Sequence, residues 1–134
     1  MSVKFNSLFG SDPKKETEGV WVEFAPGFKI KLARIGHPEY TDYLQKLMKP
    51  YKRQLRNDSL PAEIAKNCVK KALAKHIILG WEGLIDDLEK PIDFTAEKAL
   101  ELLKSSDDFF NEIIEMAKER EVFSQEDDEE SRKN

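Results

Sequence analysis

The chain has few of the residues on which chemistry is usually built. It contains one cysteine, Cys68, so no disulfide can form within it, and nothing in its cysteine content argues for an oxidising compartment. Its two histidines, His37 and His76, stand at no metal-ligand spacing, and only Cys68 and His76 would share a helix face. The expectation is no metal and no cofactor. No phosphate-cradling loop is present, because Gly80 and Gly83 flank Trp81-Glu82 without the lysine such a loop needs. No nucleophile motif surrounds any serine or the cysteine. Glu82 with Asp86 or Asp87 comes nearest to an acid and base pair, yet loop acids of this kind ordinarily form turns or caps, so no catalytic residue is assigned. Long apolar runs are missing too, both the core of a signal peptide and a membrane span, which leaves the cytoplasm as the expected location and no membrane partner. Basic charge is in deficit, with 22 Lys and Arg against 26 Asp and Glu and a net charge of -4. That balance speaks against a dedicated nucleic-acid binder, though it allows a local basic patch.

What is present fits one compact domain with polar ends. At 134 residues the chain is of single-domain length, and its charged share of 36% is high beside an apolar share of 40%. Residues 1–19 read as a flexible N-terminal arm in which Phe5, Leu8 and Phe9 are isolated apolar residues, 20–123 as the domain, and 124–134 as a disordered acidic tail. From Val20 the apolar residues alternate: Val20, Val22 and Phe24, then Phe28, Ile30 and Leu32 after Pro26-Gly27. Two such runs around a Pro-Gly turn predict a β-hairpin, with Glu23, Lys29 and Lys31 facing out. A lone hairpin is marginal in water, so it must lie on helices or pair with another strand.

Helical periodicity governs the rest. Tyr40, Tyr43, Leu44, Leu47, Met48 and Tyr51 recur at helical spacing behind Pro38, and Pro50 either kinks that helix or hands over to a second short piece running through Leu55. The stretch Lys49 to Arg56 is the most basic in the chain. Pro61 to Gly80 predicts the central helix, with Ile64, Cys68, Ala72, Leu73 and Ile77 on one face and Lys66, Lys70, Lys71 and Lys75 on a wetted face opposite. Thr95 and Ser105-Ser106 precede two more amphipathic stretches, the last with Asp107 and Asp108 in its first turn, where the helix dipole favours acids. The fold expected is mainly α: a small α+β domain of four to five helices with an N-terminal β-hairpin and disordered termini.

The apolar residues near the end of the central helix are the stronger functional lead. Ile78 falls on the basic side of that helix, and Trp81 and Leu84 follow in a stretch too apolar for an ordinary solvated loop. If exposed they would form a partner-binding patch; if Trp81 folds back it would cap the core. The candidates for partner binding are Ile78, Trp81 and Leu84, with Lys66 and Lys70 on the basic face and Tyr51 on the aromatic helix.

The stretch Lys71-Ala72-Leu73-Ala74-Lys75-His76-Ile77-Ile78-Leu79-Gly80-Trp81-Glu82-Gly83-Leu84 resembles the tail assembly chaperones of long-tailed siphophages. The likeness extends to Asp86-Asp87, to Lys90-Pro91-Ile92-Asp93-Phe94-Thr95, to Arg120-Glu121 through Phe123, and upstream to Lys49-Pro50-Tyr51-Lys52-Arg53-Gln54. It covers roughly residues 20 to 125 as order and spacing, and Ile78 to Gly83 is its most specific part. The resemblance implies a non-enzymatic helper of virion assembly. Such proteins bind the tape measure protein, keep it soluble while tail tube subunits polymerise around it, associate with one another, and are absent from the finished virion. Many exist in a longer form made by ribosomal frameshifting, whose added part recruits tube protein; this chain would be the short form. The alternative is a small helical regulator that contacts nucleic acid through Lys49, Lys52, Arg53, Arg56 and the lysine face, which salt-sensitive DNA binding would reveal.

Overall fold

The computed structural model describes residues 2–119 and 121–123. The acidic run expected to form a disordered tail, 124–134, lies outside them. The order of elements is α1 (Phe5–Phe9), α2 (Pro13–Glu18), β1 (Val20–Ala25), β2 (Phe28–Leu32), α3 (Pro38–Met48), a 3-10 turn (Lys49–Tyr51), α4 (Lys52–Arg56), α5 (Ala62–Ala72), a π-helical turn (Leu73–Ile77), β3 (Ile78–Glu82), α6 (Ala96–Ser105), α7 (Asp107–Lys118) and a closing 3-10 turn (Glu121–Phe123). A small α+β domain, mainly helical, with two short helices ahead of its β-hairpin, is thus the architecture.

The hairpin forms as its alternation requires. Val20 pairs with Leu32 and Val22 with Ile30, so the apolar side chains of both strands share the inner face. Its partner is β3, which completes an antiparallel sheet of order β1-β2-β3. This corrects the expectation of a single helix from Pro61 to Gly80. The α-helix ends at Ala72, the backbone widens into a π turn, and Ile78 to Glu82 become a strand. The β-branched pair Ile77-Ile78 favours extended backbone, and the unpaired side of β2 offers it a ladder. A bulge at Leu79 lets Leu32 face Ile78 while Lys31 faces Gly80.

The end of the central helix is closed by the segment after β2. The amide of Ala33 donates to the Ile77 carbonyl at 2.8 Å, and Nε2 of His37 donates to the His76 carbonyl at 3.1 Å. Two carbonyls that helix termination would orphan are thereby satisfied. Helix α6 packs on β3 and α7 meets β1 through Phe109 and Phe24, with α3 and α5 packed against the π turn, and Ile30, Leu32, Leu73, Ile77, Leu103 and Ile113 are fully buried in the shared core. Thr95 and Ser106 cap α6 and α7 by accepting from the amides of Lys98 and Phe109.

The stretch read as an arm contains two short helices. In α1 the side chains of Phe5, Leu8 and Phe9 are exposed. The segment that follows is tied to the domain: Asp12 donates its amide to the Phe123 carbonyl, and Arg34 donates its own to that of Glu16. After β3 the chain passes Gly83 in the left-handed region, where a Cβ would run into the carbonyl oxygen of Gly27 in the hairpin turn. The absent side chain of Gly83 lets the β3 exit cross the hairpin tip.

Candidate functional site

The residues singled out around the end of the central helix turn out to organise the interior. Ile78 is 1% exposed and Trp81 8%. The bulge at Leu79 resets the alternation, so that Ile78 beside Leu32 and Trp81 beside Ile30 both face the helices, and neither offers a side chain to a partner in this conformation. The Trp81 indole donates to the Ile92 carbonyl at 2.7 Å and meets the Phe94 ring edge to face at 5.0 Å. It therefore pins residues 83–95 to the sheet, satisfying its one polar atom as it does so. Leu84 is half-buried against the same core, and its carbonyl accepts from the Ile92 amide. Among the described residues the large apolar side chains exposed beyond β3 are Ile85 and Leu88.

The lysine face is likewise engaged. Lys70 is 5% exposed, and its ammonium lies 5.3 Å from the centroid of Phe110 and 3.9 Å from Asp107. Lys66 donates to Asp107 at 3.0 Å and also overlies the Phe110 ring. That hydrogen bond, and then the positive charge behind it, hold the Asp107 carboxyl below the usual range. Lys75 stacks on Tyr43 at 4.6 Å. Lys66 and Lys70 therefore hold α7 on the central helix, because α7 packs over the face that a lone helical wheel shows as free, whereas Lys75 overlies Tyr43 of α3 and stays exposed as expected. Lys71 is exposed.

Tyr51 leads to a surface that remains open. Pro50 has no amide to donate, so α3 tightens, with Lys49 donating to Lys46 three residues back, and the chain re-enters a helix as α4. The bend holds a cavity of about 710 Å³ lined by Asp42, Gln45, Lys46, Met48, Lys49, Lys52 and Leu55. Tyr51 is half-buried beside it, and Leu55 is 47% exposed. From 43 to 57 the sequence carries Lys46, Lys49, Lys52, Arg53 and Arg56 and no acid. Among the described residues none of these five cations has a carboxylate within ion-pair distance. The sequence marked the basic stretch, but Met48, Leu55, Asp42 and Gln45 escaped attention as a lining. The missing acids over fifteen positions were the signal that could have found it.

Other polar groups hold the fold together locally. Asp86 accepts from the amides of Leu88 and Lys90, closing a turn. His37 is 93% buried by its 7% exposure, and its Nδ1 has no hydrogen-bond partner among the described residues. The ring lies 6.5 Å from that of His76, which Tyr43 meets edge-on. Among the described residues no three His, Cys, Asp or Glu side chains converge as a metal site. Cys68 is buried, with its thiol directed at the Leu47 carbonyl. No described helix is long and apolar enough to cross a membrane.

A small α+β domain with its aromatic hub turned inward and one open, apolar-floored basic groove is the class of molecule these features define. The chain belongs to the YdaY prophage protein family, whose model matches residues 35–134. The match runs from the entry into α3 through the groove, the Trp81 hub and both capped helices, and it marks the protein as phage-derived. No curated protein and no solved structure matches the chain.

Proposed function

We propose that this prophage protein is a tail assembly chaperone: a non-enzymatic helper that binds the tape measure protein and keeps it soluble while the tail tube forms. The observation that carries the reading is the phrase Ile78-Leu79-Gly80-Trp81-Glu82-Gly83, the most specific point of resemblance to the siphophage chaperones, occurring in a chain of prophage origin. The burial of Ile78 and Trp81 agrees with a role for that phrase as a mark of the fold. Client contact then falls to the open groove at the α3–α4 bend and to exposed apolar residues such as Leu55 and Leu88. A long helical client would be coated by many copies, and repeated identical contacts favour a head-to-tail array of weakly binding subunits. Tail tube protein would be recruited through a longer frameshifted form, and the chaperone would act in the host cytoplasm and leave before the virion is complete.

The test is co-expression of the tagged chain with the very long open reading frame expected beside its gene. A soluble complex that forms only when both are present is the expected result. Client that stays insoluble, or elutes without the chain, overturns the reading. The five unneutralised cations of 46–56 favour one other reading, a nucleic-acid contact, and steeply salt-dependent binding to duplex DNA would be its signature.

A further inference from the structure

We propose that the bend between α3 and α4 is a docking groove for an acidic amphipathic helix of another polypeptide. Met48 and Leu55 would take its apolar stripe, and Lys46, Lys49 and Lys52 its carboxylates. The proposal deepens the chaperone reading by naming the charge and shape of the client segment, and it rests on that reading only in taking the occupant to be the client.

Three features of the groove select this occupant. All seven described lining residues come from one stretch of chain, 42–55, so the cavity runs along a bent helix and is not an enclosed small-molecule pocket. They recur at steps of three and four, a ridge-and-gap spacing into which a second helix packs. The floor is apolar and adaptable, since Leu55 is 47% exposed and Met48 is an unbranched, flexible side chain.

Charge supplies the sign. Lys66 and Lys70 are answered within the fold by Asp107, whereas Lys46, Lys49, Lys52, Arg53 and Arg56 are answered by nothing described. Five neighbouring cations repel one another, and a partner that brings carboxylates relieves this while excluding basic competitors. Nucleic acid would satisfy the cations but has no aliphatic stripe for Met48 and Leu55. The chain's own 124–134 is acidic but holds no apolar residue, so it cannot fill the floor.

The experiment titrates the full chain against two labelled synthetic peptides, each about 20 residues long so that a helix can hold. They share one leucine stripe and differ only in flanking it with Glu or Lys, and a duplex DNA of similar length is the third probe. The Glu peptide is expected to bind about tenfold or more tighter than the Lys peptide, with a Lys49→Glu, Lys52→Glu double variant reversing that order. Leu55→Ser should weaken both peptides in the wild-type background. Because all three residues are exposed, urea denaturation of the variants should match the parent. Equal binding of the two peptides, or indifference to charge reversal, overturns the proposal. So does tighter binding of the duplex that the double variant abolishes, which would make the groove a nucleic-acid surface. Loss of self-association in the double variant, with no peptide bound by the parent, would assign the groove to a second copy and also overturn it. If the double variant still captures tape measure protein, the groove assignment fails and the chaperone reading stands. If the parent binds the Glu peptide but never captures the client, the reverse holds.

Discussion

The β3 junction and the α3–α4 bend carry the same mixture of residues, aromatic and aliphatic side chains beside lysines, and the fold treats them in opposite ways. At the junction Ile78 and Trp81 face inward, and the nearby Lys66 and Lys70 are matched by Asp107 and Phe110. At the bend Leu55 stays half exposed and five cations have no acid beside them. What separates the two is the number of covering elements. Strand β2 and helices α3 and α6 converge on the π turn and β3, while the bend lies at the rim and Pro50 prevents a straight helix from closing it. Residues that look alike in sequence therefore divide into a set that maintains the fold and a set free to meet partners.

Removing the Trp81 ring would test that division most severely. Trp81→Ala deletes a buried indole together with its bond to the Ile92 carbonyl and its contact with Phe94, and large aromatic truncations in cores cost about 3–5 kcal/mol. For a domain of this size that is a large part of the total stability, so the urea midpoint should fall steeply or folding be lost. Leu55→Ser, at the rim, should shift stability by less than about 0.5 kcal/mol. Comparable losses for the two variants would erase the distinction between the regions.

The lysines give a smaller and sharper contrast. Lys70→Ala strips a buried aliphatic stem from the α5–α7 contact and an ammonium from the face of Phe110, a loss of about 1–2 kcal/mol. Lys49→Ala should be neutral to within about 0.5 kcal/mol. A double-mutant cycle of Lys70→Ala with Phe110→Leu checks the assignment, since the two changes should be non-additive if the contact is real. Additivity would place Lys70 back among solvated surface residues.

How far the sequence foretold all this depended on whether a feature is local. The hairpin and the cap at Thr95 were legible because each is decided by a few neighbouring residues: an alternation, a turn, a hydroxyl three positions ahead of an amide. The end of the central helix was not. Ile77-Ile78-Leu79 is a continuous apolar run that fits a helix end and a buried strand equally, and only the open side of β2 decides between them. The lysine face misled for a related reason. A helical wheel separates polar from apolar, but it cannot show that Asp107 and Phe110, some forty residues on, pack over the polar side. The groove needed the bend at Pro50 before Asp42 and Leu55 could line one cavity.

The finest contrast is in pH. Burial lowers the affinity of the His76 imidazole for a proton, and Lys75 and His37 act in the same direction. The Glu39 carboxylate, 3.8 Å from Nδ1, pulls the other way, but burial is the larger influence and the exposed acid is screened by water. His76 in the folded chain therefore titrates below its ordinary value of about 6.5, which the unfolded chain keeps. As pH falls through that value the unfolded state takes up the proton first, so this group's stabilisation is complete above about 6.5 and declines as pH drops toward the folded value. The urea midpoint should thus be lower at pH 5.5 than at about 7.5. His76→Gln, which cannot titrate, should flatten the decline, and Glu39→Gln should steepen it. Lys49→Ala should leave the profile unchanged, because the described neighbours of the His76 ring are Glu39, His37 and Tyr43. A profile that steepens with Lys49→Ala and ignores His76→Gln would mean that the pH-sensitive packing lies at the bend and not beneath the central helix.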